Sequence, residues 1–251
     1  MVTSILAQIA LVLLVVGSFS AEARPLVLVA DEWCPYTCGP SPLPGYMVEL
    51  VEAVAKESEK KTTYRLMPWT RALSEARNER ADIILGLTAA DAEGFVLSEP
   101  VGQDISCFFR PTQQTWPYRG FEDLKGRKVG VIQSYSYGKD FDSFMQSHPQ
   151  SVRAMVGLNP LLRNFRLLKT GRLDLVLENK YVTQRLLSRY TELNGIESIA
   201  CLDPMPLYFG FSAKSVEGRA LQVQFQTVFE KMKKDGRLET ILKKYQIDKW
   251  W

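Results

Sequence analysis

Short apolar runs of strand length alternate with segments of helical periodicity along most of the chain. Residues 25–30 form the first such run, residues 46–56 carry apolar side chains at helical spacing, and residues 62–67 resume a strand pattern. Parallel strands need a crossover connection, which is usually a helix. The order strand, helix, strand therefore predicts a parallel sheet in an α/β fold.

The alternation falls into two series, which the polar, turn-rich residues 111–126 separate. Two α/β lobes of this kind would place a ligand in the crevice at the carboxyl ends of their strands. Further strands are predicted at residues 81–87, 105–110, 128–132, 152–155, 173–177 and 207–213, and helices at residues 70–80, 137–147, 159–170 and 180–190, with two more in 216–245 broken at Asp235-Gly236.

The first 23 residues have the pattern of an export signal. Residues 5–16 are apolar apart from Gln8, and Ala21-Glu22-Ala23 is a small-x-small cleavage site that would make Arg24 the first mature residue. This apolar run spans about 18 Å as a helix, which is short for a bilayer core of about 30 Å. We expect a cleaved signal peptide and a periplasmic protein. No basic residue precedes the apolar run, so an uncleaved anchor is the alternative.

Composition and charge exclude several classes of protein. An apolar content of 46% with 24% charged residues is typical of a folded chain. The net charge is only +3, and no Lys/Arg run exceeds two residues, so we expect no nucleic-acid partner. The single histidine, His148, lies in a Ser-His-Pro-Gln stretch away from any cysteine, and no catalytic constellation is visible. The sequence predicts neither a metal nor a cofactor.

Four cysteines, Cys34, Cys38, Cys107 and Cys201, allow three disulfide pairings in an oxidising compartment. We favour Cys34 with Cys38 and Cys107 with Cys201, although free buried thiols remain possible for the second pair. A zinc site is the weaker alternative, because the Cys-x-x-x-Cys spacing stands alone.

Several short motifs also occur in a characteristic order. They are residues 27–36, 45–50, 69–73 with 82–88, 97–100, 128–131, 171–176 and 234–245. Each is weak alone, but their joint order over about residues 25–245 resembles the bacterial extracellular solute-binding proteins of family 3, which are receptors for polar amino acids and related solutes.

The resemblance implies the two-lobe fold of a type II periplasmic binding protein. Each α/β lobe would be a mostly parallel sheet flanked by helices, with two crossover strands near residues 106–110 and 207–212. Lobe 1 would comprise residues 24–109 and 208–251, and lobe 2 residues 110–207. A monomer that closes over a small polar solute and meets an ABC transporter permease follows from the same resemblance.

The resemblance also implies ligand contacts in lobe 1. An aromatic residue after the first strand, Trp33 or Tyr36, would pack on the ligand, with Trp69 in a second matching stretch. The loop that holds Gly86, Leu87 and Thr88 matches the family's contacts to a ligand carboxylate.

The carboxylate clamp departs from the family pattern. The family's amino-acid receptors place an arginine five residues after the hydroxyl of Thr88, where this chain has Glu93. A carboxylate there would repel a ligand carboxylate. Arg71 is the nearest substitute, and a solvated position on a helix face is its equally plausible alternative.

In lobe 2, residues 133–138 follow a predicted strand and open a helix. Ser134 and Ser136 could bind an anion there, with Tyr135 as a wall, or they could serve only as helix caps. The position that matches the family's aspartate for the ligand amino group is Asn179, preceded by Glu178. An asparagine accepts a hydrogen bond but neutralises no charge, so Glu178 is the candidate for that task.

Three functions compete for this chain. A non-catalytic receptor that delivers a small polar solute, such as an amino acid or its derivative, to an ABC permease is favoured. A dehydratase-like enzyme on the same scaffold is the second, with Glu178 or Glu93 as the general acid. A sensor that presents its closed form to a membrane signalling partner is the third.

Overall fold

The computed structural model describes residues 24–157, 159–214 and 216–251. The predicted signal peptide, residues 1–23, lies outside the described residues. No helix within these ranges is long and apolar enough to cross a membrane.

Strands and helices alternate through both halves of the chain, close to the predicted bounds. The strands are β1 (Leu26–Ala30), β2 (Thr62–Leu66), β3 (Ile83–Leu87), β4 (Phe95–Leu97), β5 (Gly102–Asp104), β6 (Ser106–Pro111), β7 (Val129–Ile132), β8 (Val152–Met155), β9 (Leu175–Asn179), β10 (Ile196–Cys201) and β11 (Met205–Ser212). The helices are α1 (Tyr46–Glu57), α2 (Trp69–Arg77), α3 (Lys139–Ser147), α4 (Pro160–Lys169), α5 (Lys180–Arg189), α6 (Val216–Asp235) and α7 (Arg237–Tyr245).

The strands form two sheets, one in each lobe. The first has the order β2-β1-β3-β11-β4, with β5 paired to β11, and the second has the order β10-β6-β9-β7-β8. The two-lobe α/β fold is therefore confirmed. Both sheets are mixed rather than mostly parallel. The reason is that β11 runs antiparallel to β3 and β6 runs antiparallel to β9, while the parallel pairs are those of β1 and β7 with their neighbours.

The chain passes between the lobes twice, at residue 105 and at residues 202–204. The strand β6 lies wholly in the second sheet and β11 pairs only within the first. The crossings are therefore short links beside these strands, whereas the crossover strands were expected near residues 106–110 and 207–212. Two short links that lie close together concentrate any change in lobe orientation into a few backbone torsions, as in a hinge.

A helical layer covers one face of the first sheet. Leu50 and Val51 of α1 pack with Phe225 and Phe229 of α6 and with Leu242 of α7, all of them buried. The helices α6 and α7 meet at a left-handed Gly236, with φ of 83°, which breaks the helix where Asp235-Gly236 predicted a break. The C-terminal helices thus complete the first lobe.

Both favoured disulfides are present. Cys34 bonds to Cys38 in the loop that follows β1, and Cys107 of β6 bonds to Cys201 of β10. The second pair lies directly opposite in the antiparallel register of β6 and β10. It therefore fixes an edge strand of the second lobe next to both crossings.

The two disulfides should differ in their contribution to stability. Cys107–Cys201 spans 94 residues and Cys34–Cys38 spans four. Chain-entropy arguments give about 4–5 kcal/mol for the long loop and about 2 kcal/mol for the short one. We expect the double variant Cys107→Ala/Cys201→Ala to lose more free energy of unfolding than Cys34→Ala/Cys38→Ala in urea titrations under oxidising conditions. Equal losses would contradict this ranking.

Candidate ligand-binding cleft

A cavity of about 880 Å³ lies between the two lobes. Its walls come from the residues that follow β1 and β2 in the first lobe and β7 and β8 in the second, together with the end of β9 and one face of α5. The carboxyl ends of parallel strands meet here, as the predicted crevice requires. Its polar and aromatic lining includes Asp31, Glu32, Trp33, Trp69, Gln133, Tyr135, Glu178, Arg185, Arg189 and Tyr190.

Several contacts fix the position of Trp33 in the first-lobe wall of the cavity. Its ring stacks on Tyr36 with the centroids 4.2 Å apart. Its backbone N–H donates to the carbonyl of Thr37 at 2.7 Å, inside the loop that the Cys34–Cys38 disulfide closes. Tyr36 itself is buried behind Trp33, and its hydroxyl donates to the carbonyl of Gln103. Tyr36 therefore positions Trp33 rather than lining the cavity.

Three aromatic rings come together at the cavity. Tyr135 of the second lobe meets Trp33 edge to face at 6.5 Å and Trp69 edge to face at 6.3 Å, both between centroids. Tryptophan faces bind apolar and cationic groups alike. The rings form an apolar wall that spans both lobes.

Hydrogen bonds join the lobes across this cleft. The Trp33 Nε1–H donates to Glu178 Oε1 at 2.9 Å, and the Tyr135 hydroxyl donates to Asp31 Oδ2. The side-chain amide of Asn179 donates to the Tyr36 hydroxyl at 3.1 Å. Because each of these bonds joins one lobe to the other, the structure represents a closed arrangement.

Glu178 is a strongly perturbed carboxyl group in the cleft. It is 2% exposed, and Oε1 accepts a second bond from the backbone N–H of Asn179 at 2.8 Å. No hydrogen bond links Oε2 to another described residue. Burial, together with the charges of Asp104 and Asp31, raises the pKa of Glu178 to about 8, against the lowering effect of the hydrogen bonds from Trp33 and from the Asn179 N–H. The side chain is therefore protonated at neutral pH, and Oε2 is its free atom.

Asp31 and Asp104 are perturbed in the same direction. Burial raises the pKa of each to about 6. Asp31 accepts a hydrogen bond from the Tyr135 hydroxyl. Asp104 accepts hydrogen bonds from the Asn179 side-chain amide and the Ser106 hydroxyl. These hydrogen bonds lower the pKa but do not cancel the cost of desolvation. Closure thus brings three carboxyl groups into a region of low polarity.

Asn179 connects the cleft to the start of α5. Its side-chain oxygen accepts from the backbone N–H groups of Tyr181 and Val182, which caps the helix. With its amide donating to Asp104 and Tyr36, every polar atom of this buried side chain has a partner. Asn179 does not line the cavity.

Four of the twelve predicted ligand residues line the cavity, namely Trp33, Trp69, Tyr135 and Glu178. The other eight do not. Arg71 is exposed on α2, and Leu87 is fully buried in the core. Tyr36, Gly86, Thr88, Ser134, Ser136 and Asn179 also lie outside the lining.

Local hydrogen bonds explain two of these placements. The Thr88 hydroxyl donates to Asp91 at 2.9 Å and caps a short 3-10 turn, Ala89–Asp91. The Ser136 hydroxyl donates to Asp142 in the first turn of α3. Ser136 does not cap α3, because the N-cap residue is Gly138 and no side chain caps it, so the predicted capping role of Ser134 or Ser136 is wrong.

The cavity also holds polar residues that were not predicted. Asp31 and Glu32 directly follow β1, where strand-end loops commonly carry binding groups. Arg185 and Arg189 share a face of α5 with Val182 and Leu186, and all four line the cavity. Their spacing is visible in the sequence, but which face of a helix borders a cleft is not.

Comparisons with known proteins agree with this architecture. The sequence model of the bacterial extracellular solute-binding proteins, family 3, matches residues 26–248. A putative ABC transporter arginine-binding protein 2 of Escherichia coli (strain K12) is 26% identical over 80% of this chain and 81% of its own length. A probable amino-acid ABC transporter-binding protein of Haemophilus influenzae is 23% identical over 79% and 74%.

Solved structures share the fold at low identity. A histidine kinase sensor domain with similarity to periplasmic binding proteins has a TM-score of 0.77 and 20% identity, covering 89% of this chain and 96% of its own. An ancestral arginine-binding protein bound to arginine has a TM-score of 0.75 and 19% identity, covering 88% and 97%. Both likenesses concern the fold alone.

The closed arrangement should depend on pH through Glu178. Because its pKa is raised in the closed form, protonation favours closure, and this contribution is lost as the pH rises toward and through 8. We expect the radius of gyration of the ligand-free protein, measured by small-angle X-ray scattering, to increase between pH 6 and pH 9. Glu178→Gln, which keeps an acceptor for Trp33 and cannot ionise, should expand less, with Asp31 and Asp104 as its remaining buried carboxyl groups.

Glu192→Gln is a matched control, because Glu192 is an exposed carboxylate of the second lobe paired with Arg166. It should follow the unmodified protein. An identical pH response in Glu178→Gln and the unmodified protein would remove Glu178 from the closure equilibrium.

Proposed function

Because the chain belongs to the bacterial extracellular solute-binding proteins, family 3, we propose that its cleft captures an amino acid or a small amino-acid derivative without chemical change. The closed protein would then deliver this solute to an ABC transporter permease. The observation that carries the proposal is the polar and aromatic cavity between two lobes that short links join.

Three properties of the cavity suit a small polar solute. Its aromatic wall offers contact area, while Oε2 of Glu178 offers a hydrogen-bonding atom deep in the cleft. Its volume of about 880 Å³ falls within the range typical of small-molecule sites. The named relatives from E. coli and H. influenzae, an arginine-binding and an amino-acid-binding protein, support an amino acid as the ligand class.

The proposed location is the periplasm. The leader pattern of residues 1–23 and the two disulfides both suit an oxidising compartment. Delivery to a permease further requires that the ligand increase the closed fraction, since recognition then reports on the ligand. We propose that the receptor works as a monomer.

A sensory role for the same cleft is the second candidate. The likeness in fold to a histidine kinase sensor domain favours it. The two roles share ligand binding and closure but differ in the partner. Ligand uptake that depends on both this chain and a permease would support transport, whereas uptake that is unchanged when this chain is deleted would favour sensing.

Aromatic contacts should carry a measurable share of the affinity. We expect Trp33→Ala and Trp69→Ala each to weaken binding of a captured amino acid by about tenfold, which corresponds to about 1.4 kcal/mol. Binding is measured by calorimetry, after a thermal-shift screen of the twenty standard amino acids on protein refolded to remove bound ligand.

Trp116→Ala is the matched control. Trp116 lies in the second lobe outside the cavity, where Arg127 stacks over its ring. It should bind with unchanged affinity. Unchanged affinity in Trp33→Ala and Trp69→Ala as well would argue that the ligand binds elsewhere.

A further inference from the structure

Two arginines of α5 lack the partners that most arginines of this chain have. Arginine side chains elsewhere in the described ranges mostly bind a carboxylate or a backbone carbonyl. The described exceptions, with no such hydrogen bond or ion pair, are Arg71, Arg119, Arg172, Arg185 and Arg189. Of these five, only Arg185 and Arg189 line the cavity.

Their positions on the helix place the two charges side by side. Residues four apart on a helix are neighbours on one face, and like charges at this spacing repel each other. Arg189 has a cation–π contact with Tyr190, with the guanidinium carbon 5.6 Å from the ring centroid, and neither arginine has a carboxylate partner. An anion held between them would relieve the repulsion.

The other ionisable side chains that line the cavity carry no positive charge. They are Asp31, Glu32, Glu178 and Tyr135, with Tyr190 beside Arg189. The α5 face therefore carries all the positive charge that borders the cleft within the described residues. A guanidinium presents a planar fork of donors that matches a carboxylate.

We infer that Arg185 and Arg189 bind the anionic group of the ligand, and that the ligand is a solute carrying a carboxylate. This inference rests on the proposed function and adds the anchor and the charge of the solute. The carboxylate would bind on α5 of the second lobe, while the polar remainder faces Asp31 and Glu178. The position matched to the family's clamp, occupied by Glu93, lies outside the cavity.

The test uses the protein refolded to remove bound ligand and the twenty standard L-amino acids as probes. Each amino acid that binds is then compared with its own methyl ester, in which the carboxylate charge is absent. We expect Arg185→Gln/Arg189→Gln to weaken binding of the free amino acid by tenfold or more. The ester should bind with about equal affinity to the double variant and the unmodified protein.

Arg172→Gln is the matched control, because Arg172 is exposed and unpaired in the second lobe but lies outside the cavity. It should bind as the unmodified protein does. Thermal unfolding without ligand checks that the variants fold, which is expected because both α5 side chains are exposed.

Three results would overturn the inference while the proposed function stands. They are unchanged affinity for the free amino acid in the double variant, an equal loss for the ester, and a comparable loss in Arg71→Gln, which would return the anchor to the first lobe. If the unmodified protein binds none of the twenty amino acids at 10 mM, capture of a standard amino acid, and not the arginine anchor, is what fails.

Discussion

The hydrogen bond from Trp33 to Glu178 joins the loop after the first strand of one lobe to the end of β9 in the other. A carboxyl group as buried as Glu178 is stable only when it is protonated or fully paired. In the closed structure Oε1 has two N–H donors and Oε2 has none from the described protein. The position of the lobes is therefore tied to the protonation state of one side chain and to what occupies the space beside it.

Neighbouring contacts within each lobe fix the positions of both partners of this bond. Trp33 is fixed by the stack on Tyr36 and by the disulfide-closed loop, so its indole N–H reaches the cleft with little freedom. Glu178 is the penultimate residue of β9, which is buried along its whole length, and Asn179 next to it caps α5 and bonds to the first lobe. Rigid partners on both sides, and short links between the lobes, favour two discrete arrangements over a continuum.

The order of strands and helices was predictable because hydrophobic periodicity is local, and most predicted elements lie within a few residues of their true bounds. The strands β4, β5 and β10 were missed. β4 and β5 have only three residues each, and polar residues interrupt the apolar pattern of β10. The place of Trp33 in the cavity lining was predictable because the family resemblance puts an aromatic residue after β1. The places of Arg185 and Arg189 in the lining were not, because they depend on which face of α5 borders the cleft. Thr88 and Ser136 show the opposite case. Both hydroxyls were predicted to contact the ligand, but each donates to a nearby carboxylate at the start of a helical segment instead.

The central claim is that the cleft between the lobes is the ligand site and that binding favours the closed arrangement. All four native cysteines are in disulfides, so single cysteines introduced at exposed Lys56 in the first lobe and Arg172 in the second would take spin labels selectively. The most direct measurement is the distribution of distances between these labels by pulsed electron spin resonance, at pH 9, with and without a saturating amino acid identified by calorimetry. The account predicts a broad or two-component distribution without ligand that narrows to the closed component with it. Stoichiometric binding that leaves the distribution unchanged would contradict it.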